Sequence, residues 1–424
     1  MSVALEPRAA ALGALGEALS RRGGLETALA GPAFAALSPL DRSFARALVM
    51  ATLRRLGSID ALLAPRLRKA PPDVVMDVLR LGAAELLVLA TPDHAAVDSA
   101  VRLTETRAQP FKALVNAVLR GLARERAEAG WREPPPETDI PSWLLSRWRA
   151  AYGEDAIAAA AALRVEPPTD LTPRDPADAE TLAAELEGAV LPGGTVRVRR
   201  GGAVGDWPGF AEGRWWVQDA AAALPARLLE ARAGETVLDL CAAPGGKALQ
   251  LAAAGAVVTA LDRSEPRLRR LRENLARTGL DAESVAAPGE RWDDARAFDA
   301  VLLDAPCTST GTFRRNPDVL WTTRPPEIAK LAAVQSRLLD AAAERVAPGG
   351  RLVYCVCSLE PEEGEAQVAA FLARRPDFRL HPADSAQVGA PPEAARDGAL
   401  RLLPSMRAEE GGLDGFYAAR LDRT

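Results

Sequence analysis

The chain has 424 residues, of which 48% are hydrophobic and 26% are charged. One hydrophobic core stops growing at about 250 to 300 residues, so this length predicts two or three domains. The composition is that of a folded globular protein and excludes a disordered or fibrous class. No apolar run reaches the ~18 residues of a membrane span, and the first residues, "MSVALEPRAA", lack the basic head and apolar centre of a signal peptide. We therefore expect a cytoplasmic protein without a membrane partner.

The charge is distributed unevenly. The net charge is −5, which by itself argues against a nucleic-acid partner. Residues 1–130, however, carry 17 basic and 13 acidic side chains, so that their net charge is +4 and that of the remainder is −9. The basic excess belongs to the front of the chain, and a nucleic acid would therefore be held there.

Four cysteines are too few for a disulfide framework, and a reducing cytoplasm keeps them as thiols. They are Cys241, Cys307, Cys355 and Cys357. No C-x-x-C pair occurs among them, so we expect no metal site. Each cysteine is therefore a packing residue or a participant in chemistry.

The first 130 residues repeat apolar side chains at helical spacing, as in "FKALVNAVLRGLARERAEA", which predicts an all-helical domain over residues 1–130. The proline cluster of "WREPPPETDIP" cannot lie inside a helix and indicates a boundary. A helical stretch and the strand-like "GGTVRVRRGG" follow. We predict a linker and a small α+β module over residues 131–213.

From residue 214 to 424 short apolar runs alternate with helical stretches. The predicted strands are 236–240, 257–262, 284–287, 299–304, 351–357 and 416–421. Strands that alternate with helices imply an α/β fold with a mostly parallel, doubly wound sheet.

A glycine turn follows the first of these strands, in "VLDLCAAPGGKALQLAA". Glycine lets the backbone approach a ligand closely, although the motif is not the G-x-G-x-x-G of a dinucleotide enzyme. Asp262 ends the next strand, where a carboxylate is suited to the ribose hydroxyls of a nucleoside cofactor. The alternative is an ordinary connection between a strand and a helix, without a ligand.

Two further strands deliver cysteines to the same edge of the sheet. "DAVLLDAPC" ends in Asp304 and Cys307, and "RLVYCVC" ends in Cys357, whereas Cys355 is expected in the core. The two histidines lie outside these motifs, which leaves a Cys–His hydrolase poorly supported. A thiolate that adds to carbon 6 of cytosine activates carbon 5 for methylation, and an acid such as Asp304 can stabilise the adduct at ring nitrogen 3.

The motifs "DLCAAPGGK", "LLDAPCTSTGTFRRNPDVLW", "YCVCSLEPEEGE" and "DGFYAARL" closely resemble those of the Sun family of RNA cytosine-5 methyltransferases, which use S-adenosylmethionine. The front segments "PDHAAVDSAVRLTE" and "ALVNAVLRGLAR" resemble the NusB-like RNA-binding domain of the bacterial branch that modifies small-subunit ribosomal RNA. The resemblance implies a class I S-adenosylmethionine-dependent methyltransferase domain with a Rossmann-like sheet. An all-α NusB-like domain and the α+β module would precede it.

The resemblance also implies roles for single residues. Cys357 matches the nucleophile, Cys307 the cysteine that helps to release the product, and Asp304 the acid that contacts the base. The cofactor-binding set comprises Cys241, Ala242, Ala243, Pro244, Gly245, Gly246, Lys247, Asp262, Arg267 and Asp304. For the arginines after Asp262, a solvated helix face is the alternative.

The sequence departs from the family pattern at several positions. Val356 replaces the usual threonine before the nucleophile, Cys355 is an extra thiol, and Pro288 stands where an aspartate usually contacts the cofactor adenine. "TDLTPR", at residues 169–174, is a weak copy of the usual strand of the middle module.

We therefore predict a monomeric enzyme that methylates carbon 5 of a cytosine in small-subunit (16S) rRNA, with Arg314 and Arg315 on RNA phosphates. The alternatives are a non-catalytic RNA-binding assembly factor, which Pro288 favours, and a methyltransferase that acts on tRNA. A small-molecule or protein methyltransferase is disfavoured by the front domain.

Overall fold

A computed structural model describes residues 6–20, 24–130 and 132–424. The chain forms two compact units, which we call the helical unit, Met1–Val165 with Arg315–Thr323, and the sheet unit, Glu166–Arg314 with Arg324–Thr424. The predicted helical domain includes residues 1–5 and 21–23, and the predicted linker begins at residue 131. These residues lie outside the described part of the chain. Among the helices that are described, none is long and apolar enough to cross a lipid bilayer.

The helical unit confirms the all-helical prediction for the front of the chain. Its core contains Leu48, Leu79 and Leu119, which are fully buried. A Cβ atom at Gly82 would lie 2.5 Å from Leu119 Cδ1, so only glycine permits this close packing. The α-helices are Glu6–Leu19, Gly24–Leu29, Pro32–Ala35, Pro39–Arg54, Leu56–Leu63, Asp73–Leu87, Asp93–Arg107, Lys112–Ala129, Ser142–Tyr152, Asp155–Leu163 and Val319–Thr322.

The helical unit extends further along the chain than the domain predicted over residues 1–130. Arg164 forms an ion pair of 2.7 Å with Asp139, and Asp139 accepts a hydrogen bond of 2.8 Å from the backbone N–H of Ser58. These buried contacts attach the residues after the proline cluster to the helix Leu56–Leu63. The helices between residues 142 and 163 therefore belong to the helical unit, whereas the sequence grouped them with the α+β module.

The sheet unit begins with a small antiparallel sheet. Its strand order is β2-β3-β1-β4, and the helix Ala179–Glu185 packs on it over a core that includes Leu171, Leu182 and Trp215. The strands are β1 (Thr169–Pro173), β2 (Ala189–Val190), β3 (Val196–Val198) and β4 (Trp215–Val217). The predicted α+β module is thus present, and its last strand lies just beyond residue 213.

A nine-stranded sheet follows, with the order β11-β12-β13-β9-β8-β5-β6-β7 and with β10 paired to β13. The strands are β5 (Thr236–Leu240), β6 (Val257–Asp262), β7 (Glu283–Ala286), β8 (Phe298–Asp304), β9 (Val346–Val356), β10 (Phe378–His381), β11 (Ala395–Arg396), β12 (Ala399–Leu402) and β13 (Phe416–Arg423). The α-helices are Ala220–Leu229, Gly246–Ala253, Glu265–Thr278, Pro325–Ala343, Glu365–Arg374 and Ser385–Val388. Strands β5 to β9 pair in parallel, which confirms the doubly wound prediction.

The register of the parallel strands determines where the site forms. Leu240 lies opposite both Leu261 and Leu303, and Asp304 lies opposite Cys355. Strands β5, β6, β8 and β9 therefore end at one level, as ligand sites of doubly wound sheets require.

Candidate active site

Cys307 and Cys357 follow two neighbouring parallel strands, β8 and β9, and their sulfur atoms lie 3.5 Å apart. Both side chains are half-buried. The hydroxyl of Ser309 lies 3.5 Å from the sulfur of Cys357 and 3.9 Å from that of Cys307. The structure thus brings together two thiols that are 50 residues apart in sequence.

The two thiols are not equivalent. A hydrogen bond from Cys307 lowers the pKa of Cys357, whereas the same bond and burial raise the pKa of Cys307. Burial and the carboxylate of Asp304 oppose the shift of Cys357, and Ser309 and Lys247 support it. Because the thiolate is the reactive form of cysteine, these shifts favour Cys357 over Cys307 as the more reactive thiol of the pair.

Asp304 and Lys247 form an ion pair beside the thiols, with 2.8 Å between Lys247 Nζ and Asp304 Oδ2. The thiol of Cys355 lies 3.6 Å from the other carboxylate oxygen. Burial opposes the charge of Lys247, but the surrounding Asp304, Cys355 and Asp239 raise its pKa. Cys355 is fully buried, as the sequence analysis expected, and it also contacts the acid of the site.

Two residues of the turn between β5 and the next helix have positive φ angles. Cys241 has a φ of 64° and Gly245 a φ of 113°. A Cβ atom at Gly245 would lie 2.9 Å from Leu271 Cγ, so a larger residue does not fit. Ala242, Ala243 and Pro244 complete the turn, and Gly246 and Lys247 begin the helix. Burial raises the pKa of Cys241, which keeps it a neutral thiol.

Asp262 connects this turn to β6. Its carboxylate accepts hydrogen bonds from the backbone N–H of Ala243, at 3.2 Å, and of Ser264, at 2.8 Å. Arg267 contacts the same carboxylate at 3.5 Å and donates to the carbonyl of Ala243. Asp262 is only 2% exposed, whereas more than half of the Arg267 side chain is exposed. Arg267 thus lies over the predicted cofactor loop rather than on a purely solvated face.

Pro288 lies close to Asp262. The preceding residue, Ala287, donates its N–H to the carbonyl of Asp262 at 3.1 Å, directly after β7. A proline there offers no carboxylate.

Asp239 is a residue of the site that the sequence analysis did not assign. It is fully buried in β5, and neither carboxylate oxygen has a hydrogen-bond partner among the described residues. Burial raises its pKa to about 8, while Lys247 opposes the rise. An acid within the otherwise apolar run "TVLDL" is the sequence signal that could have revealed it. Buried polar atoms without partners indicate a place where a polar ligand would bind.

Glu363 is a second missed residue, and it lies behind the thiols. The carboxylate is fully buried and accepts hydrogen bonds from Thr308, Ser358 and Gln335. In sequence it belongs to "EPEEGE", an acidic run that resembles a solvated surface.

Arg314 requires a correction. Its side chain is 1% exposed and donates to Asp219 at 3.2 Å, to Asp414 at 3.5 Å and to the carbonyl of Gly411. A buried guanidinium held by two carboxylates has no surface for a phosphate, so the predicted RNA contact is wrong for Arg314. Arg315 is exposed, and its phosphate contact stays a prediction.

In the part of the chain that the structure describes, no group of three or more His, Cys, Asp and Glu side chains is arranged to hold a metal ion.

Comparison with known proteins shows which family this chain resembles. Residues 226–422 match the family described as 16S rRNA methyltransferase RsmB/F, and residues 6–124 match the NusB family. The chain is similar to the ribosomal RNA small subunit methyltransferase B of Klebsiella pneumoniae subsp. pneumoniae, with 37% identity over 91% of each chain. It is 39% identical to the protein of that name from Thermus thermophilus, over 90% of this chain and 89% of the other.

Solved structures share the fold. The crystal structure of PH0851 aligns with a TM-score of 0.79 and 24% identity, over 98% of this chain and 99% of the other. A methyltransferase homolog protein from Pyrococcus horikoshii aligns with a TM-score of 0.56 and 27% identity, over 72% and 99%. Because identity above 30% extends over nearly the whole chain, this protein belongs to the ribosomal RNA small subunit methyltransferase B family.

Proposed function

We propose that the protein transfers a methyl group from S-adenosylmethionine to carbon 5 of a cytosine in small-subunit rRNA, through a covalent adduct on Cys357. The observation that carries this proposal is the thiol pair at the sheet edge, with 3.5 Å between the two sulfur atoms and the Asp304–Lys247 ion pair beside it. Two thiols and one acid at the end of parallel strands suit pyrimidine activation better than hydrolysis.

Addition begins with the Cys357 thiolate. Its sulfur forms a bond to carbon 6, which moves the electron pair of the ring double bond towards carbon 5. Ring nitrogen 3 takes a proton or a hydrogen bond from the Asp304–Lys247 pair, which stabilises the adduct. The base must be unpaired or flipped out of the helix, because the thiolate cannot reach carbon 6 in a stacked duplex.

The cofactor fits the residues that surround the turn. S-adenosylmethionine carries an ammonium group, a sulfonium and two ribose hydroxyls, and the set of acids includes Asp239, Asp262 and Asp304. The two unpartnered oxygens of Asp239 support a polar ligand at this place. The residues Cys241 to Lys247, with Asp262, Arg267 and Asp304, would hold it. When bound, the cofactor supplies the electrophilic methyl group.

Release needs a leaving thiolate. Carbon 5 passes its proton to water as the base, the electron pair of that C–H bond re-forms the ring double bond, and the electron pair of the C–S bond returns to the sulfur of Cys357. A hydrogen bond from the Cys307 thiol, 3.5 Å away, stabilises that sulfur as it leaves. We assign Cys307 to this step.

The helical unit would hold the RNA. The match of residues 6–124 to the NusB family and the basic excess of residues 1–130 support this role. Contacts to phosphates supply affinity and orientation, whereas the site selects the base.

The test is incubation of the purified protein with unmodified small-subunit rRNA and S-adenosylmethionine labelled in the methyl group. We expect label in 5-methylcytosine, and RNA that contains 5-fluorocytosine should become trapped on Cys357, as peptide mapping would show. Binding of rRNA without label or trapping would support the non-catalytic assembly factor instead. Label in tRNA and not in rRNA would support the tRNA methyltransferase.

A further inference from the structure

Glu363 is fully buried, and its carboxylate accepts hydrogen bonds from four donor groups on three residues. The backbone N–H of Thr308 lies 3.0 Å from its Oε1, and Gln335 Nε2 lies 3.0 Å from the same atom. The hydroxyls of Thr308 and Ser358 each lie 2.5 Å from Oε2. Burial raises the pKa of Glu363, whereas the hydrogen bonds from Ser358, Thr308 and Gln335 oppose that rise and favour the ionised carboxylate.

These donors flank both thiols. Thr308 follows Cys307 directly, and Ser358 follows Cys357 directly. Gln335 also donates to the carbonyl of Pro306 at 2.9 Å, on the other side of Cys307. One carboxylate therefore connects the loops that carry the two cysteines.

A buried carboxylate that lost these donors would be destabilised. The fully buried Ser358 hydroxyl also lies 3.2 Å from the Thr308 hydroxyl and accepts from the backbone N–H of Glu360 at 3.0 Å, so the carboxylate belongs to a wider network behind the thiols. Tyr354 adds a hydrogen bond of 2.5 Å to the carbonyl of Glu363, which fixes the backbone at this residue. The distance between the thiols is thus maintained from behind.

The charge of Glu363 acts on one thiol more than on the other. Together with the bond to Cys357 and with burial, it raises the pKa of Cys307. The charged groups that act on Cys357 are instead Asp304 and Lys247. The carboxylate thus favours a neutral Cys307, which is the form that can donate to the sulfur of Cys357.

We propose that Glu363 is a positioning residue of the methyl transfer: it holds the two thiols at hydrogen-bonding distance by bonding both loops that carry them. The inference rests on the proposed function of this site and assigns to it a fully buried residue behind the thiols.

The test compares Glu363→Gln with the unchanged protein in two measurements. The first is the rate at which iodoacetamide alkylates Cys307 and Cys357 from pH 6 to 10, followed separately for each cysteine by mass spectrometry. The charged groups that face the pair, Asp304, Lys247 and Asp239, are the same in both proteins. We expect the preference for Cys357 over Cys307 to fall about tenfold, which is the effect of one pKa unit.

The second measurement is methyl transfer. In Glu363→Gln we expect kcat to fall by about tenfold to a hundredfold, with the KM for S-adenosylmethionine unchanged, because no group in contact with the cofactor is altered. Glu363→Asp retains the charge and should recover part of the alkylation preference. The matched control is Glu362→Gln, an exposed neighbour with the same charge change, which should behave like the unchanged protein.

If Glu363→Gln does not fold, Thr308→Val removes one hydroxyl donor and leaves the carboxylate, and a loss of preference of about threefold to tenfold is expected. Unchanged alkylation of both cysteines in the folded variants would overturn the inference. Absence of methyl transfer in the unchanged protein would instead overturn the proposed function, and the alkylation experiment would still decide the role of Glu363.

Discussion

Three buried acids of the helical unit and two at the edge of the nine-stranded sheet have different kinds of partner. In the helical unit, Asp77, Glu85 and Asp139 each pair with an arginine, at 2.9, 2.6 and 2.7 Å. At the sheet edge, Asp239 has no partner among the described residues, and neutral donors surround Glu363. An acid paired with arginine is neutralised and serves the fold, whereas an acid without a cation retains its electrostatic effect on neighbouring groups. We infer that burial of Asp77, Glu85 and Asp139 contributes stability, whereas burial of Asp239 and Glu363 tunes reactivity.

The largest effect expected at the sheet edge is that of Cys357→Ser. Methyl transfer should fall by roughly three orders of magnitude or more, because a serine hydroxyl is a far weaker nucleophile than a thiolate at neutral pH. The measurement is incorporation of labelled methyl groups into small-subunit rRNA. The affinity for RNA and the unfolding midpoint should stay the same. Activity within tenfold of the unchanged protein would contradict the covalent mechanism.

Arg314→Met tests a buried charge of the sheet unit that serves the fold. It leaves Asp219 and Asp414 buried without their cation, so the free energy of unfolding should fall by about 3 to 5 kcal/mol. Urea unfolding measures the change. Arg315→Met is the matched control, since this exposed neighbour should change stability by less than about 0.5 kcal/mol. Equal small effects would show that the Arg314 cluster contributes little.

Leu79→Ala tests the apolar core of the helical unit. Leu79 is fully buried, so its truncation should lower the free energy of unfolding by about 2 to 5 kcal/mol. The kcat of the molecules that remain folded should not change, because Leu79 belongs to the helical unit and the groups assigned to the chemistry belong to the sheet unit. Urea unfolding and methyl transfer, measured on the same preparation, check both statements. A parallel loss of kcat would mean that the two regions are not separable in this way.

Apolar patterns could be predicted from the sequence, whereas the positions of buried charged residues could not. Periodicity found the helices of the front and six strands of the large sheet, since long apolar patterns respond to one buried face. The short strands β10, β11 and β12 were missed because two to four residues carry no readable period. Glu363 was missed and Arg314 was predicted wrongly for another reason. A charged residue in a polar run becomes buried only through partners that are up to 100 residues away, such as Asp219 and Asp414 for Arg314.

Asp239→Asn tests how the buried acid without a hydrogen-bond partner changes the pH dependence of the free energy of unfolding. Burial raises the pKa of Asp239 to about 8 in the folded protein, from an ordinary value of 3.8. Between these values the unfolded chain releases a proton that the folded chain retains, so stability falls as pH rises and levels off above the folded pKa. The decrease per pH unit should be smaller in Asp239→Asn, by at most about 1.4 kcal/mol. Urea unfolding at pH 6 and 7.5 measures it.

The control for this experiment is Asp281→Asn, an exposed aspartate of the same unit, which should retain the pH dependence of the unchanged protein. Identical slopes for all three proteins would mean that Asp239 ionises normally.

The smallest expected effect concerns the helical unit and RNA. Arg315→Ala removes one exposed cation of that unit, so rRNA binding should weaken by only a few fold. If Arg315 neutralises one phosphate, the slope of log affinity against log salt concentration should become shallower by about 1. Filter binding at several salt concentrations measures both quantities. An unchanged slope would remove Arg315 from the RNA surface. A shallower slope with unchanged kcat would show that RNA affinity and methyl transfer depend on different charges. The exposed charge of Arg315 would then affect affinity alone, whereas the buried charges of the site affect the thiols.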